Sequence, residues 1–156
     1  MGSVEDVDGL KKAKSYALRL LKLRPRSVAE LRQKMTDKGH TAVVVDVVVD
    51  ELTRAGFLDD AAFGRAWMRS RLNRPMGLRR VSRELMDKGV SKDLIRGAWD
   101  EVKADYDELE IVRQLAQKRA GKYNNIDPLK RKRRVMEYLA RRGFQLDIIM
   151  KAIREL

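Results

Sequence analysis

Lys34-Met-Thr-Asp-Lys-Gly-His40 is the stretch that decides the fold, because it recurs as Glu84-Leu-Met-Asp-Lys-Gly-Val90 and again as Tyr138-Leu-Ala-Arg-Arg-Gly-Phe144. The copies are spaced by 50 and then by 54 residues. Self-similarity at such a period is typical of repeat proteins, in which each repeat is one supersecondary unit. The chain therefore divides into three successive repeats.

Each copy lies in a helical pattern. An apolar pair at positions i and i+4 precedes each glycine and lies on one helical face. After each glycine, apolar residues recur in steps of three and four, the period of an amphipathic helix. The pairs are Leu31 and Met35, Val81 and Leu85, Val135 and Leu139; the later residues are Val45, Val48, Val49 and Leu52, then Ile95, Ala98, Trp99 and Val102, then Ile149, Ala152, Ile153 and Leu156. Each repeat thus has a middle and a last helix.

The residues between these two helices are typical helix punctuation. Gly39, Gly89 and Gly143 can close the middle helix in a left-handed conformation. Thr41 and Ser91 can cap the helix that follows. The β-branched run from residue 43 to 49 would suit a buried strand, but its counterparts in the other repeats have a helical pattern, so we expect a helix there too.

A first helix precedes each pair, so we expect an all-α array of three tandem three-helix repeats, about nine helices in all. In the first two repeats it carries Ala13, Tyr16, Ala17 and Leu20, then Phe63, Ala66, Trp67 and Ser70; in the third, Ile111, Val112, Leu115 and Ala116 precede a longer loop. The expected division is a flexible acidic N-terminus over residues 1–12 and repeats over 13–58, 59–105 and 106–156.

The charge balance points to an acidic partner. Lysine and arginine number 35 against 23 acids, and the net charge is +12 with a pI near 10.2. Residues 61–156 carry most of the excess, with 24 bases and 13 acids. A basic surface of this kind favours contact with nucleic acid or with an assembly that contains it.

Other features exclude several classes of protein. There is no cysteine, so a disulfide framework and thiolate metal sites are excluded. No apolar run approaches the ~18 residues of a membrane helix, and the N-terminus is acidic, unlike a signal peptide. We expect a soluble cytoplasmic protein. With one histidine, His40, no phosphate-binding loop and scattered carboxylates, we expect no enzyme, cofactor, metal site or small-molecule substrate.

Two groups of bases are candidates for binding a partner or a polyanion. Seven arginines fall within 19 residues, and arginine suits bidentate contacts with phosphate or carboxylate. Five consecutive bases follow Pro128 at a helix start, which is unfavourable unless an anion approaches. Some of the arginines could instead pair only with nearby acids such as Glu84. The candidates are Arg65, Arg69, Arg71, Arg74, Arg79, Arg80, Arg83, Lys130, Arg131, Lys132, Arg133 and Arg134.

The aromatic residues favour structural roles. Trp67 and Trp99 occupy apolar positions of the repeat, so we expect both in the core rather than stacked on bases. Phe57, Phe63 and Phe144 are expected at junctions or in the core. Tyr123, in the basic loop of the third repeat, is the aromatic residue best placed to touch a partner.

Ala55-Gly-Phe-Leu-Asp-Asp60, followed by Phe63 and Trp67, resembles the join between the first two repeats of the RecX family. The resemblance continues through Tyr16-Ala-Leu-Arg-Leu-Leu21, Arg24-Pro-Arg-Ser27 and Arg142-Gly-Phe144. It covers residues 13–156, and the third repeat departs most from the family pattern. It implies repeats that curve into an elongated body fitting the groove of a RecA filament on single-stranded DNA.

The resemblance also implies a function. Family members inhibit the recombinase and coprotease activities of RecA, in DNA recombination, DNA repair and the SOS response. We expect this protein to be a monomer. Direct binding to DNA is a further option. Two alternatives remain: a helix-turn-helix DNA-binding regulator and a non-specific nucleic-acid-binding protein. Against the first, the last helices present Val44, Val48, Ala98 and Ile149 rather than residues that read bases.

Overall fold

The computed structural model describes residues 4–156, with side chains from Asp6 onward, and this part of the chain is all-helical. Within these described residues, two short 3-10 helices, Lys103–Asp105 and Gly121–Tyr123, accompany nine α-helices. The α-helices are α1 (Val4–Leu23), α2 (Val28–Asp37), α3 (Ala42–Arg54), α4 (Asp60–Leu72), α5 (Leu78–Asp87), α6 (Lys92–Val102), α7 (Glu108–Ala120), α8 (Pro128–Arg141) and α9 (Leu146–Arg154).

Three separate hydrophobic cores confirm the three-helix repeats, one each within α1–α3, α4–α6 and α7–α9. The six residues of the predicted i, i+4 pairs are all fully buried. The valine-rich run is helical, as expected, because Val45, Val48 and Val49 turn to the first core. None of the helices in residues 4–156 is long and apolar enough to span a membrane.

The array is elongated. The accessible surface is 10247 Å², whereas a compact monomer of 18.0 kDa exposes about 8,000 Å². The excess arises because three small cores, each belonging to one repeat, replace one large core. Each repeat touches only its neighbours at the described junctions, which is the arrangement of a solenoid.

The second and third repeats meet where the end of α8 abuts the start of α5. The amides of Gly77 and Arg79 donate to the carbonyls of Arg142 and Gly143 at 2.8 and 3.1 Å. Helix starts have unpaired N–H groups and helix ends have unpaired C=O groups, so each end satisfies the other. The approach is close: a Cβ on Gly77 would lie 2.2 Å from the carbonyl carbon of Gly143.

The first and second repeats meet in the same way, between the end of α5 and the start of α2. The Ser27 hydroxyl donates to the carbonyl of Lys88 at 2.5 Å. Lys88 Nζ lies 2.7 Å from Glu30 Oε1. Gly89, at φ +76°, leaves room for Ala29, whose Cβ would lie 2.3 Å from a Cβ on that glycine. The three middle helices therefore form one column, α8 to α5 to α2.

At the start of both α2 and α5, an acid from the next repeat accepts a hydrogen bond from a backbone amide of the first turn. The amide of Val28 donates to Asp60 Oδ1 at 2.9 Å, and Asp60 is the first residue of α4. Glu108, the first residue of α7, is buried in the equivalent place beside the amide of Leu78. Burial raises the pKa of Glu108, and the Leu78 amide opposes that rise.

The stretch over residues 1–12, expected to precede the first repeat, overlaps the first helix. Helix α1 already begins at Val4, because Leu10 continues the apolar face of Ala13 and Ala17 and packs on the first core. The first three residues of that stretch lie outside the described part of the chain.

The buried face of α4 also differs from the expected register. Ala66 and Ser70 are exposed, and Met68 is fully buried instead. On that side Gly64 faces α6, where an added Cβ would lie 4.0 Å from Ala98 Cβ, so α6 packs closely against α4 there. Trp67 is consequently only half-buried at the edge of the second core, as is Trp99.

Phe57 lies at the junction between the first two repeats, as expected, but its side chain is exposed. Phe57 is 60% exposed, and Leu58 beside it is buried. Gly56, at φ +80°, reverses the chain after α3, so that only one of the two following side chains can face the first core.

Replacing Gly77 by alanine should destabilise the protein by about 1–3 kcal/mol, because the added methyl group meets the backbone of Gly143. Urea unfolding followed by circular dichroism measures the change. Gly97→Ala is the matched control: Gly97 lies within α6 with open space around it, so this change should stabilise by about 0.5–1 kcal/mol. Equal stability of the two variants would contradict the junction.

Glu30 should make the first junction sensitive to acid. Burial opposes ionisation, but hydrogen bonds from Arg24, Lys88 and the Ser27 amide lower the pKa of Glu30 to about 2. The stabilisation is complete above the ordinary pKa of 4.5 and is lost as the pH falls towards 2. The difference in unfolding free energy between the unaltered protein and Glu30→Gln should therefore shrink by about 1–2 kcal/mol from pH 6 to pH 3.

Glu51→Gln is the control for this pH dependence. Glu51 pairs with Lys14 at 3.0 Å, but both side chains are at least 40% exposed, so the pair is screened by solvent. Glu51→Gln should therefore change the unfolding free energy only slightly at both pH 6 and pH 3. A Glu30→Gln effect that stays constant between pH 6 and pH 3 would show that Glu30 is not held as a charged group at the junction.

Candidate interaction surface

Each junction opens into a cleft, and the two clefts are built from equivalent residues. The α5/α8 cleft has a volume of about 500 Å³ and the α2/α5 cleft about 390 Å³. The start of α5 contributes residues 79, 80, 83 and 84 to the α5/α8 cleft. The start of α2 contributes residues 29, 30, 33 and 34 to the α2/α5 cleft, at an offset of 50. The helix ends contribute 140, 141 and 143 against 86, 87 and 89, an offset of 54.

The α5/α8 cleft brings together three of the predicted arginines and adds a fourth. Its charged lining is four arginines and two acids: Arg79, Arg80, Arg83, Arg141, Glu84 and Asp87. Arg80 lies 3.8 Å from Glu84, four residues further along α5. Arg79 and Arg83 are exposed and form no ion pair with any described residue. These two guanidinium groups are therefore available to an anion.

Glu84 fixes the wall of this cleft to α4. Its Oε2 accepts from Trp67 Nε1 and lies near Arg71 Nε, both at 3.1 Å. Arg71 also lies over the indole ring, 4.4 Å from its centre. Lys88 lies at the same distance from the ring and reaches Glu30 across the first junction. Trp67 is thus half-buried at the edge of the second core, where it contacts Glu84, Arg71 and Lys88, and is not the fully buried residue that the sequence suggests.

The remaining arginines of the first group do not line the cleft. Arg65 pairs with Glu101 at 3.4 Å, and Arg71 is occupied by Glu84. Pairing with acids, which the sequence leaves open, therefore accounts for Arg65 and Arg71. Arg69 and Arg74 are exposed and make no ion pair within the described residues. The seven arginines are consequently several small groups and not one patch.

The second predicted group lies at the start of α8. Asp127 caps this helix by accepting from the amides of Leu129 and Lys130 at 3.0 and 3.1 Å. Arg133 pairs with Glu137 at 3.2 Å, and Arg131 and Lys132 are half-buried. The group occupies residues 130–134 and α8 lines the α5/α8 cleft from residue 140 onward, so about 10–15 Å of helix separate the two. The two groups therefore lie apart on the surface.

Tyr123 is enclosed by cations. Arg119 and Arg134 lie 5.4 and 5.3 Å from its ring centre, and the ring packs against the third core. Arg119 also lies 4.6 Å from the ring centre of Tyr138. Cation–π contacts of this kind hold the guanidinium groups in place beside the start of α8.

The sequence analysis missed the bases of the α2/α5 cleft and one base of the other cleft. The repeat register could have identified one of them, since residue 24 corresponds to the predicted candidate Arg74; the equivalents of Lys34 and Arg141 are the acids Glu84 and Asp87. The missed bases are Arg24, Arg26, Lys34, Lys88 and Arg141.

Comparison with known families assigns all three repeats. Residues 13–52 match the family model of the first three-helix domain of RecX, residues 59–98 the second, and residues 105–153 the third. The matches follow the chain in that order and together cover most of it.

Curated relatives match over nearly the whole chain, and each is named a regulatory protein RecX. The relative from Pelodictyon phaeoclathratiforme is 36% identical over 143 residues, covering 91% of this chain and 87% of that protein. The relative from Amycolatopsis mediterranei is 35% identical over 147 residues, covering 93% and 83%. These names support a regulatory role for this chain.

Two solved structures share the fold. The crystal structure of RecX from Lactobacillus salivarius superposes with a TM-score of 0.87 at 21% identity, covering 96% of this chain and 97% of that one. A crystal structure of a regulatory protein RecX gives the same TM-score at 22% identity, covering 97% and 76%. The family models, the relatives and the fold agree: the chain belongs to the RecX family.

Proposed function

We propose that this chain binds the RecA filament on single-stranded DNA and inhibits its recombinase and coprotease activities, as a cytoplasmic monomer without catalysis of its own. In that role it acts in DNA recombination, DNA repair and the SOS response. The observation that carries the proposal is the presence of all three RecX domains in order, with an equivalent basic cleft at each junction.

The spacing of the basic groups suits a filament. Equivalent clefts recur once per junction, and the bases at the start of α8 lie further along the same column. A filament also presents equivalent surfaces at regular intervals, so a rigid array can meet several of them at once. Several weak contacts made simultaneously give an avidity that no single contact supplies.

The chemistry of the groups suits anionic partners. Arg79 and Arg83 have no acidic partner within the described residues, and the guanidinium group binds carboxylate or phosphate in a bidentate geometry. Direct binding to single-stranded DNA is therefore a second contact that we propose. It would fall steeply with salt, because each neutralised phosphate releases counterions.

A helix-turn-helix regulator is the less suitable alternative. Its recognition helix would need exposed polar side chains that reach base edges. Here Val48, Ala98 and Ile149 face the cores of their own repeats and are at most 2% exposed. In the last helix of each repeat, these positions therefore pack against the core and are not available to contact bases.

Titration of the protein into RecA-dependent ATP hydrolysis on single-stranded DNA tests the proposal. At a RecA concentration that covers the DNA completely, the rate of ATP hydrolysis should fall to a plateau as this protein is added. A pull-down in the presence of DNA should show that RecA binds the protein. Unchanged hydrolysis together with absent binding would overturn the proposed function.

Charge reversal tests the two groups of bases. Arg79→Glu with Arg83→Glu should raise the half-inhibitory concentration about tenfold, and Lys130→Glu with Arg133→Glu should do the same. The four changes together should give approximately the product of the two effects, because sites more than ~10 Å apart are close to additive. All these side chains are exposed, so the melting temperature should change little.

The matched control is Lys151→Glu with Arg154→Glu. Both residues are exposed on α9, line neither junction cleft and form no ion pair within the described residues. The change in net charge is the same. If this variant inhibits as poorly as the others at equal salt, general electrostatic attraction is sufficient and the two groups are not specific sites.

A further inference from the structure

The end of α2 has the features that receive a helix at the ends of α5 and α8, but no described helix occupies it. Lys38-Gly39 is the repeat equivalent of Lys88-Gly89 and Arg142-Gly143, and all three glycines have positive φ. A Cβ on Gly143 would lie 2.4 Å from Arg80 Cβ, whereas a Cβ on Gly39 would meet nothing within 4 Å. The first repeat therefore ends in an open docking position.

The surroundings of this position are strongly basic. An open cleft of about 460 Å³ lies between α1 and the end of α2, and its charged lining consists of Lys11, Lys12, Arg19 and Lys38. No acid lines it, and none of these four cations forms an ion pair with a described residue. Arg19 and Lys38 instead lie over the ring of Tyr16, at 5.8 and 5.6 Å from its centre.

The end of α5, whose Lys88 is the equivalent of Lys38, is the occupied helix end that resembles this one in charge; the end of α8 instead receives α5, whose first turn has no acid. At the end of α5, the incoming α2 has a small N-cap residue, Ser27, and an acid in its first turn, Glu30. Glu30 reaches Lys88, the equivalent of Lys38, and Ser27 donates to the Lys88 carbonyl. The matching occupant for the end of α2 is therefore a helix start with a small N-cap residue and acids in its first turn.

The column of middle helices in a second copy does not supply such a start. The helix start left open at its other end belongs to α8, and Asp127 already caps it. Five bases, residues 130–134, follow in its first two turns, and they would be repelled by the basic cleft. The column is therefore not extended by that end of a second copy.

We propose that the end of α2 binds the start of an acidic helix on the protein partner, which extends the column of middle helices by one member. The free carbonyls at this helix end favour N–H donors over phosphate oxygens, while the four surrounding bases favour acids in the first turn of the incoming helix. This proposal rests on the proposed function, because the partner used to test it is the RecA filament.

Photocrosslinking from the cleft tests the proposal. Ser15, an exposed residue of the cleft, is replaced by p-benzoyl-L-phenylalanine, and the protein is irradiated with RecA on single-stranded DNA. Mass spectrometry should map the crosslink to the start of a RecA helix with acids in its first turn. The same probe in place of the exposed Lys118 should give no crosslink at that helix.

Charge variants check that the crosslink depends on the cleft. Lys38→Glu should lower its yield about tenfold, and Lys11→Glu with Lys12→Glu serves as a second variant should the first disturb the end of α2. Lys118→Glu, which changes a base in the last turn of α7, should leave the yield unchanged.

Three results are decisive. A crosslink to DNA, or none at all while inhibition of RecA persists, would overturn the docked helix and leave the proposed function standing. A crosslink to RecA at a site without an acidic helix start would overturn it equally. Absence of both inhibition and RecA binding in the unaltered protein would instead overturn the proposed function, and the docked helix with it.

Discussion

The contact between helix ends at each junction is the constraint on which the rest of this molecule depends. Between α8 and α5 it consists of two backbone hydrogen bonds made possible by paired glycines, Gly77 and Gly143. The negative end of one helix dipole meets the positive end of the next, so the two unpaired sets of backbone groups stabilise each other. No large apolar interface is needed, which explains how such slender repeats form an ordered array.

The candidate surface is a product of the same contact. A cleft opens wherever a helix end meets a helix start, so its lining combines residues about 60 positions apart in the chain, such as Arg83 and Arg141. The clefts recur because the junctions recur. Their chemistry is nevertheless different: Glu30 is held by Arg24 and Lys88 in one, whereas Arg79 and Arg83 remain unpaired in the other. The two clefts thus have the same shape and position but different free charge.

The repeat register predicted the helices, the buried pairs such as Val81 and Leu85, and the left-handed glycines, because these depend on residues close in the chain. It did not predict the rotated face of α4, which depends on how closely α6 approaches Gly64. Nor did it separate paired from unpaired arginines, since Arg71 meets Glu84 and Arg65 meets Glu101 only after α4 packs against α5 and α6. The site residues therefore remain a prediction, whereas the family and the fold are established.

The solenoid of separate cores also makes local stability uneven. The second repeat is held at both ends of α5, whereas the first and third are each held at one end only. Opening of a terminal repeat breaks one junction, but opening of the second breaks two. Amide protons of α5 should consequently exchange with solvent most slowly. The terminal repeats can then change position on binding a partner, while the second repeat keeps its place in the array.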